Sequence, residues 1–362
     1  MLADALHSSW NSALTSLDDQ NAETTWKERL GSYHVSCNKR AALELTVTVV
    51  PLVGFYAIMH WSLSVGYWLT LLLAIPTAAM LVRLFAIQHD CGHGAFFGSK
   101  RVNDWLGRLL GIFTLTPYDD WRREHALHHA SSGNLDRRGS GDIDTLTVSE
   151  YRNLSGLGKL KYRLYRHPLV LFVAGPSWQF IVRNRWPTGN SKILMPLIST
   201  HSTNAGIILF SVALVSVVGW KALLAVHLPI VILGATAGIW LFFVQHQFEL
   251  AYWQDGCDWD KEEAALHGSS FYDLPQPLMW LTGNIGIHHV HHLTSRIPFY
   301  SLPKVIGDFP ELRQINRLTF WESLKCAPLA LWDEGHKRLI SFKQYRALHV
   351  DGGNTRVETS SF

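Results

Sequence analysis

Four long apolar stretches constrain the fold of this chain more than any other feature. A helix needs about 20 mostly apolar residues to cross the hydrocarbon core of a bilayer. The stretches cover about residues 41–59, 66–88, 204–220 and 222–244. Charged residues are 17% of the whole chain, below the roughly 25% of a soluble domain. The sequence therefore predicts an all-α integral membrane protein with two hairpins of transmembrane helices, rather than a soluble protein with buried helices.

The distribution of Lys and Arg predicts where the other segments lie. Cytoplasmic loops are enriched in these residues, and Lys221 is the single basic residue in the links within the two hairpins. The N-terminal segment 1–40, the middle segment and the C-terminal segment 321–362 are therefore expected on the cytoplasmic side. Within a membrane domain over 41–320, residues 89–203 and 245–320 are expected to form a cytoplasmic helical cap. The first 40 residues contain no apolar stretch typical of a signal peptide.

Charge and cysteine content exclude several other classes of protein. The net charge of +3 is too small to indicate a nucleic-acid partner. The four cysteines lie far apart without a CxxC pair, which excludes a zinc ribbon or a disulfide scaffold. Neither composition nor the apolar stretches explain why the chain has 19 histidines.

Eight of these histidines recur at helical spacing. Residues three or four apart share one face of a helix. His289 falls off the face of its cluster and is expected to take no part. The clustered side chains are His89 and His93, then His125, His128 and His129, then His288, His291 and His292.

Topology predicts that the clusters meet. The first cluster directly follows the second span, and no span separates it from the second cluster. The third cluster comes after two further spans. All three therefore belong to one face of the membrane, where His246 joins them just past the fourth span. One metal ion takes four to six ligands, so nine imidazoles predict two ions. Imidazole binds Zn, Cu, Fe and Ni alike. Because imidazole ligands are neutral, two ions held by them would keep their full positive charge close to the bilayer. Such a site favours the activation of oxygen over a structural role.

These clusters and their flanking residues resemble those of the membrane fatty acid desaturases of acyl-lipid type, including the plant Δ12 and bacterial phospholipid enzymes. The similarity covers roughly residues 40–320. The segments that carry it are His89–Phe97, Pro117–Tyr118 with Trp121, His125–His129, Ser132–Gly139, Gly141–Thr147, Gln245–Glu249, His288–Leu293, Pro298 and Tyr300.

The resemblance implies a di-iron centre with O2 as co-substrate and two electrons from a separate donor of the ferredoxin or cytochrome b5 type. It implies a cis double bond in the acyl chain of a membrane lipid, formed by an enzyme of the bacterial cytoplasmic membrane. The position of that bond and the acyl carrier stay open. Some members carry an asparagine one turn before the histidine that matches His246, where this chain has Phe242.

Acidic residues lie close to the histidine clusters in the sequence. Ligating imidazoles usually donate the N–H of their other ring nitrogen to a carboxylate or a carbonyl, and Asp90, Asp142 and Glu249 are candidates for that role.

Two other functions are alternatives. A related lipid hydroxylase, or a carotenoid ketolase or hydroxylase, would use the same centre. A membrane metal-binding or transport protein is disfavoured, because it should place ionisable groups near the midplane of the bilayer.

Overall fold

The computed structural model describes residues 25–139, 141–187 and 194–350. Residues 1–24 of the predicted N-terminal segment and the end of the predicted C-terminal segment, 351–362, lie outside the described residues. The helices are α1 (Trp26–Arg29), α2 (Asn38–Ser62), α3 (Tyr67–His93), α4 (Lys100–Phe113), α5 (Tyr118–Ser131), α6 (Val148–Asn153), α7 (Gly156–Tyr165), α8 (Gly175–Ile181), α9 (Leu194–Val218), α10 (Trp220–His246), α11 (Lys261–His267), α12 (Gln276–Leu281), α13 (His288–Leu293), α14 (Leu302–Asp308), α15 (Phe320–Ser323) and α16 (Phe342–Val350).

Four of these helices, α2, α3, α9 and α10, are long and apolar enough to cross a membrane. They form the two predicted hairpins, and α3 packs against α10. A second contact between the hairpins is an apolar cluster that includes Met59, Ala78 and Val226. Only 6% of the apolar window of α9 is buried within the protein, as expected of a surface that faces lipid. The prediction of an all-α membrane protein with four spans is confirmed.

The spans are longer than the apolar stretches suggested. The third helix begins at Leu194 rather than near Asn204, and α3 continues through His93 rather than ending near Gln88. In both cases polar residues extend an apolar helix. The first histidine cluster thus lies on the last turn of a spanning helix, where a rigid element positions it.

The cap also contains short strands that the sequence analysis did not predict. They are β1 (Leu146–Thr147), β2 (Phe271–Asp273), β3 (Arg317–Thr319), β4 (Leu329–Asp333) and β5 (Arg338–Ser341). β4 pairs in parallel with β1 and antiparallel with β5, while β2 pairs in parallel with β3. The sheet β1–β4–β5 therefore joins the C-terminal segment to the polypeptide that follows the second histidine cluster.

A buried ion pair connects the first hairpin to the cap. Glu44 on α2 pairs with Arg83 on α3, and the Arg83 side chain is fully buried. Arg83 also donates to the Thr48 hydroxyl and to the carbonyl of Trp280. One helical face of α3 thus contacts both the neighbouring span and the polypeptide that leads to the third histidine cluster.

Candidate metal centre

Four helices bring nine histidines to one place at the ends of the spans. His89 and His93 lie on the last turn of α3, and His246 is the last residue of α10. The second cluster lies on α5 and the third on α13, neither of which is long enough to span. All nine residues named from the sequence meet in this region, in two separate groups.

The first group contains five histidines: His89, His93, His125, His129 and His291. The Nε2 atom of His125 lies 2.9 Å from that of His89, 3.1 Å from that of His93 and 3.1 Å from that of His129. The Nε2 atom of His291 lies 3.1 Å from that of His129. His93, His125 and His129 are only partly buried as residues, so this group lies closer to the surface of the cap.

The second group contains four histidines, all of them buried: His128, His246, His288 and His292. The Nε2 atom of His246 lies 3.1 Å from that of His128 and 2.9 Å from that of His288. The Nε2 atoms of His288 and His292 are 3.1 Å apart. This group is therefore as compact as the first, although it has one member fewer.

The spacing of these nitrogen atoms fits metal ligands. A metal–nitrogen distance of about 2.1 Å separates neighbouring ligand atoms by about 3.0–3.4 Å in octahedral or tetrahedral geometry. The ligand atoms within each group all lie within 4.8 Å of one another, which one ion at the centre of each group could bridge. The residues present therefore fit two metal ions.

Helical periodicity decides which histidine enters which group. His125 and His129 are four residues apart and share the first group, whereas His128 belongs to the second. On α13 the assignment is reversed, since His288 and His292 share the second group and His291 belongs to the first. Residues four apart project in nearly the same direction, while a neighbour turns by about 100°. Each short helix thus contributes to both groups.

Burial keeps five of the clustered imidazoles neutral. It lowers the pKa of each well below the usual value for histidine, and the neighbouring imidazoles lower it further. A neutral ring has one nitrogen free to bind a metal ion, so these side chains are in the ligating form at neutral pH. The five are His125, His129, His288, His291 and His292.

The second ring nitrogen has an oxygen partner at two members of the second group. His128 Nδ1 donates to the carboxylate of Asp142 at 2.5 Å, and His246 Nδ1 faces the carbonyl of Gly268 at 3.3 Å. Such partners fix the tautomer and turn Nε2 towards the metal position. Asp142, one of the three acids named from the sequence, thus lies where that role requires.

The other two acids are placed differently. Asp90 is buried and accepts the backbone N–H of Phe299 at 2.6 Å, while its other oxygen lies 3.5 Å from His89 Nδ1. Glu249 is half-exposed and accepts a hydrogen bond from Arg338 at 3.2 Å. Asp90 therefore fastens the polypeptide after the third cluster to α3, and Glu249 fastens β5 to the end of α10.

Sequence reasoning gave no role to two aromatic side chains that contact the histidines. Trp121 stacks on His125 with ring centroids 4.7 Å apart, and its spacing of four residues from His125 was a usable signal. Phe242 lies 5.2 Å from the rings of both His128 and His246. This chain thus places an apolar wall beside the second group.

His289 takes no part in either group. Its ring is buried and faces away, with Nε2 at 2.9 Å from the carbonyl of Leu312. Burial lowers the pKa of His289 to about 4, so it is neutral and bonds as a donor.

Comparison with known proteins gives consistent matches along most of the chain. The model of a family described as "Fatty acid desaturase" matches residues 65–322. A fatty acid desaturase of Bacillus subtilis is 41% identical over 312 residues, which are 86% of this chain and 88% of the relative. An sn-1 acyl-lipid omega-3 desaturase (ferredoxin) of Synechocystis sp. is 30% identical over 266 residues, 69% of each protein. An sn-1 oleoyl-lipid 12-desaturase of Anabaena variabilis is 25% identical over 305 residues, 78% of this chain and 81% of the relative.

Proposed function

Because this chain belongs to the fatty acid desaturase family, as its histidine motifs indicated, we propose that it desaturates acyl chains of membrane lipids with two iron ions held by the nine clustered histidines. The observation that supports this most directly is the division of the Nε2 atoms into a group of five and a group of four, each with the spacing of metal ligands. The ligand assignment is His89, His93, His125, His129 and His291 for one ion, and His128, His246, His288 and His292 for the other.

The overall reaction balances with one molecule of O2. Two adjacent methylenes lose two hydrogen atoms and form a cis double bond. O2 takes up these two hydrogens together with two electrons and two protons, giving two molecules of water. Two bound iron ions would supply an oxidant strong enough for an unactivated C–H bond, which acid–base groups alone cannot break.

The side chains of the protein have other tasks. Neutral imidazoles leave the positive charge of the ions intact, and the carboxylate of Asp142 orients the ring of His128. Phe242 excludes water from one side of the second group, which protects a reactive site from side reactions. The acyl chain must bind with its reacting carbons beside this site, because positioning decides which bond is formed.

The proposed substrate class is an acyl chain carried by a membrane lipid. Support comes from the four spans, whose ends would hold the histidines at the surface of the bilayer. The names of two relatives specify acyl-lipid or oleoyl-lipid substrates. These names differ in the position of the double bond, so the position is left to the experiment below.

The proposed electron donor is a separate, acidic carrier of the ferredoxin type. The name of the Synechocystis relative includes ferredoxin. The group of five is the more exposed of the two, and its His125 stacks on the half-buried Trp121, next to Arg122. We therefore place electron entry at this face of the cap and expect turnover with a ferredoxin to fall as ionic strength rises.

The proposed location is the bacterial cytoplasmic membrane, with both histidine groups on the cytoplasmic side. The excess of Lys and Arg in the segments that adjoin the cap supports this orientation. A metal transporter is not favoured, since the histidines lie at the ends of the spans rather than near the midplane.

The test is the fatty acid profile of cells that express the chain, against cells with an empty vector, by gas chromatography–mass spectrometry with double-bond localisation. A new unsaturated acyl chain is expected, and the His128→Ala variant should not form it. A hydroxylated or keto product instead would contradict desaturation and identify the related oxygenase. Analysis of intact lipids in the same extract would show whether the new double bond appears first in glycerolipids.

A further inference from the structure

Arg166, immediately after α7, is a buried cation that the proposed chemistry does not use. Its side chain is 4% exposed. In the described part of the chain its guanidinium donates to carbonyl, amide and hydroxyl oxygens rather than to a carboxylate. Burial of an arginine without an anionic partner is costly, so its role must lie in what these oxygen atoms hold in place.

The guanidinium connects three separate parts of the cap. Nη2 donates to the side-chain oxygen of Gln247 at 2.9 Å and to the carbonyl of Leu329 at 2.7 Å. Nη1 donates to the carbonyl of Asp144 at 3.2 Å. Gln247 is itself buried and accepts a second hydrogen bond from the hydroxyl of Thr145 at 3.1 Å.

Two of these parts lead directly to the second histidine group. Gln247 follows His246 in the chain, and Asp144 lies two residues after Asp142, whose carboxylate accepts from His128. The Nε2 atoms of His128 and His246 are 3.1 Å apart. A continuous path of hydrogen bonds and backbone therefore links the two histidines. It runs from His128 through Asp142 and the backbone of residues 142–144 to Arg166, and then through Gln247 to His246.

We propose that Arg166 is a positioning residue for the second metal ion, which sets the separation of His128 and His246 by holding Gln247 and the 142–145 segment together. This inference rests on the proposed function, because it takes those histidines as ligands. The fork geometry of a guanidinium is essential here, since several acceptors in different directions must be held at once.

The experiment compares iron binding in purified, full-length variants loaded with 57Fe. Wild-type protein should hold two ions per chain with two Mössbauer components. The His93→Ala and His292→Ala variants assign each component to a group. Arg166→Gln should weaken binding in the second group about 10–100-fold, as loss of an orienting partner typically does, and leave the component of the group of five intact. Arg166→Lys should lie between Arg166→Gln and wild type.

A matched control is Arg163→Gln, on the same helix. Arg163 is exposed and donates to the hydroxyl of Tyr151, so this variant removes one positive charge without touching the path and should keep both components. If Arg166→Gln does not fold, Gln247→Met removes the acceptor while the arginine stays, and the same selective loss is expected.

Two results would overturn the inference. Retention of both ions with unchanged spectra in Arg166→Gln would show that the path does not position the ligands. Equal loss of both components would show a general structural role. Wild-type protein without two ions would instead contradict the proposed function, so the two failures are distinguishable.

Discussion

His128 and His129 are consecutive residues, yet their Nε2 atoms enter different groups. The reason is local, since adjacent helical positions point about 100° apart. The direction of a side chain on its helix, and not its residue type alone, therefore decides whether an imidazole reaches one of the groups. His289 on α13 faces away from both, and it bonds the carbonyl of Leu312 instead.

This difference predicts unequal effects for two histidines of α13. His292→Ala should abolish desaturation and reduce bound iron below two ions per chain, because it leaves three histidines in the second group. His289→Ala should retain iron and activity and lose about 1–2 kcal/mol of stability, the cost of an unpaired buried carbonyl. Iron analysis and the lipid profile measure both. Equal iron loss in the two variants would contradict the assigned register.

The hydrogen bond between Asp142 and His128 predicts a second residue-level effect. Asp142→Asn removes the negative charge that makes this imidazole a stronger ligand, so iron affinity in the second group should fall about 10–100-fold. Competition with a chelator measures the change. Asp144→Asn is the control, because Asp144 is exposed and contributes only its backbone carbonyl to the path through Arg166. A similar loss in both variants would argue against the specific role.

At the scale of elements, α3 holds the polypeptide of the third cluster at both ends. Arg83 donates to the carbonyl of Trp280 before the cluster, and Asp90 accepts from the N–H of Phe299 after it. The helix that carries the first cluster thereby fixes the position of the third. Glu44 neutralises Arg83 inside this contact, and it also pairs with the half-exposed Arg40 at 2.7 Å.

This arrangement predicts an asymmetry between the two members of the buried pair. Glu44→Met leaves Arg83 buried without a carboxylate and should lower the free energy of unfolding by about 3–5 kcal/mol. Arg83→Met should cost less, since Glu44 keeps Arg40 as a partner. The double variant should cost less than the sum of the two. Thermal unfolding in detergent measures all three, and strict additivity would show that the pair is not coupled.

The elements that could be predicted are those in which histidines recur at helical spacing or apolar residues form a long stretch. The four spans followed from the length of the apolar stretches, and the histidine clusters followed from their spacing. The division of each short helix between two groups was not predicted. The third span begins earlier than expected because the residues around His201 are polar, although they continue the helix. The strands were missed because they are short, and β1 and β4 pair across a long separation in sequence. Nearness to the histidines in the chain made Glu249 a candidate as well, but in the structure Asp142 is the acid that contacts His128 Nδ1 at 2.5 Å.

At the scale of the whole molecule, the orientation in the membrane can be tested with the protein's own cysteines. Cys37 and Cys257 are exposed, whereas Cys91 and Cys326 are buried. A membrane-impermeant thiol reagent should therefore label inside-out vesicles and spare intact spheroplasts. Ser64→Cys, in the exposed link of the first hairpin and combined with Cys37→Ser and Cys257→Ser, should give the opposite pattern. Labelling of native Cys257 from outside would reverse the proposed topology.

The contribution of α13 to both histidine groups has a consequence for the biogenesis of the protein. His291 completes one group, and His288 and His292 complete the other. The ribosome makes these residues only after both hairpins have been synthesised, so neither group can be complete in a shorter nascent chain. Under the proposed function, a translation product that ends before α13 would therefore insert into the bilayer without the full set of ligands for either ion.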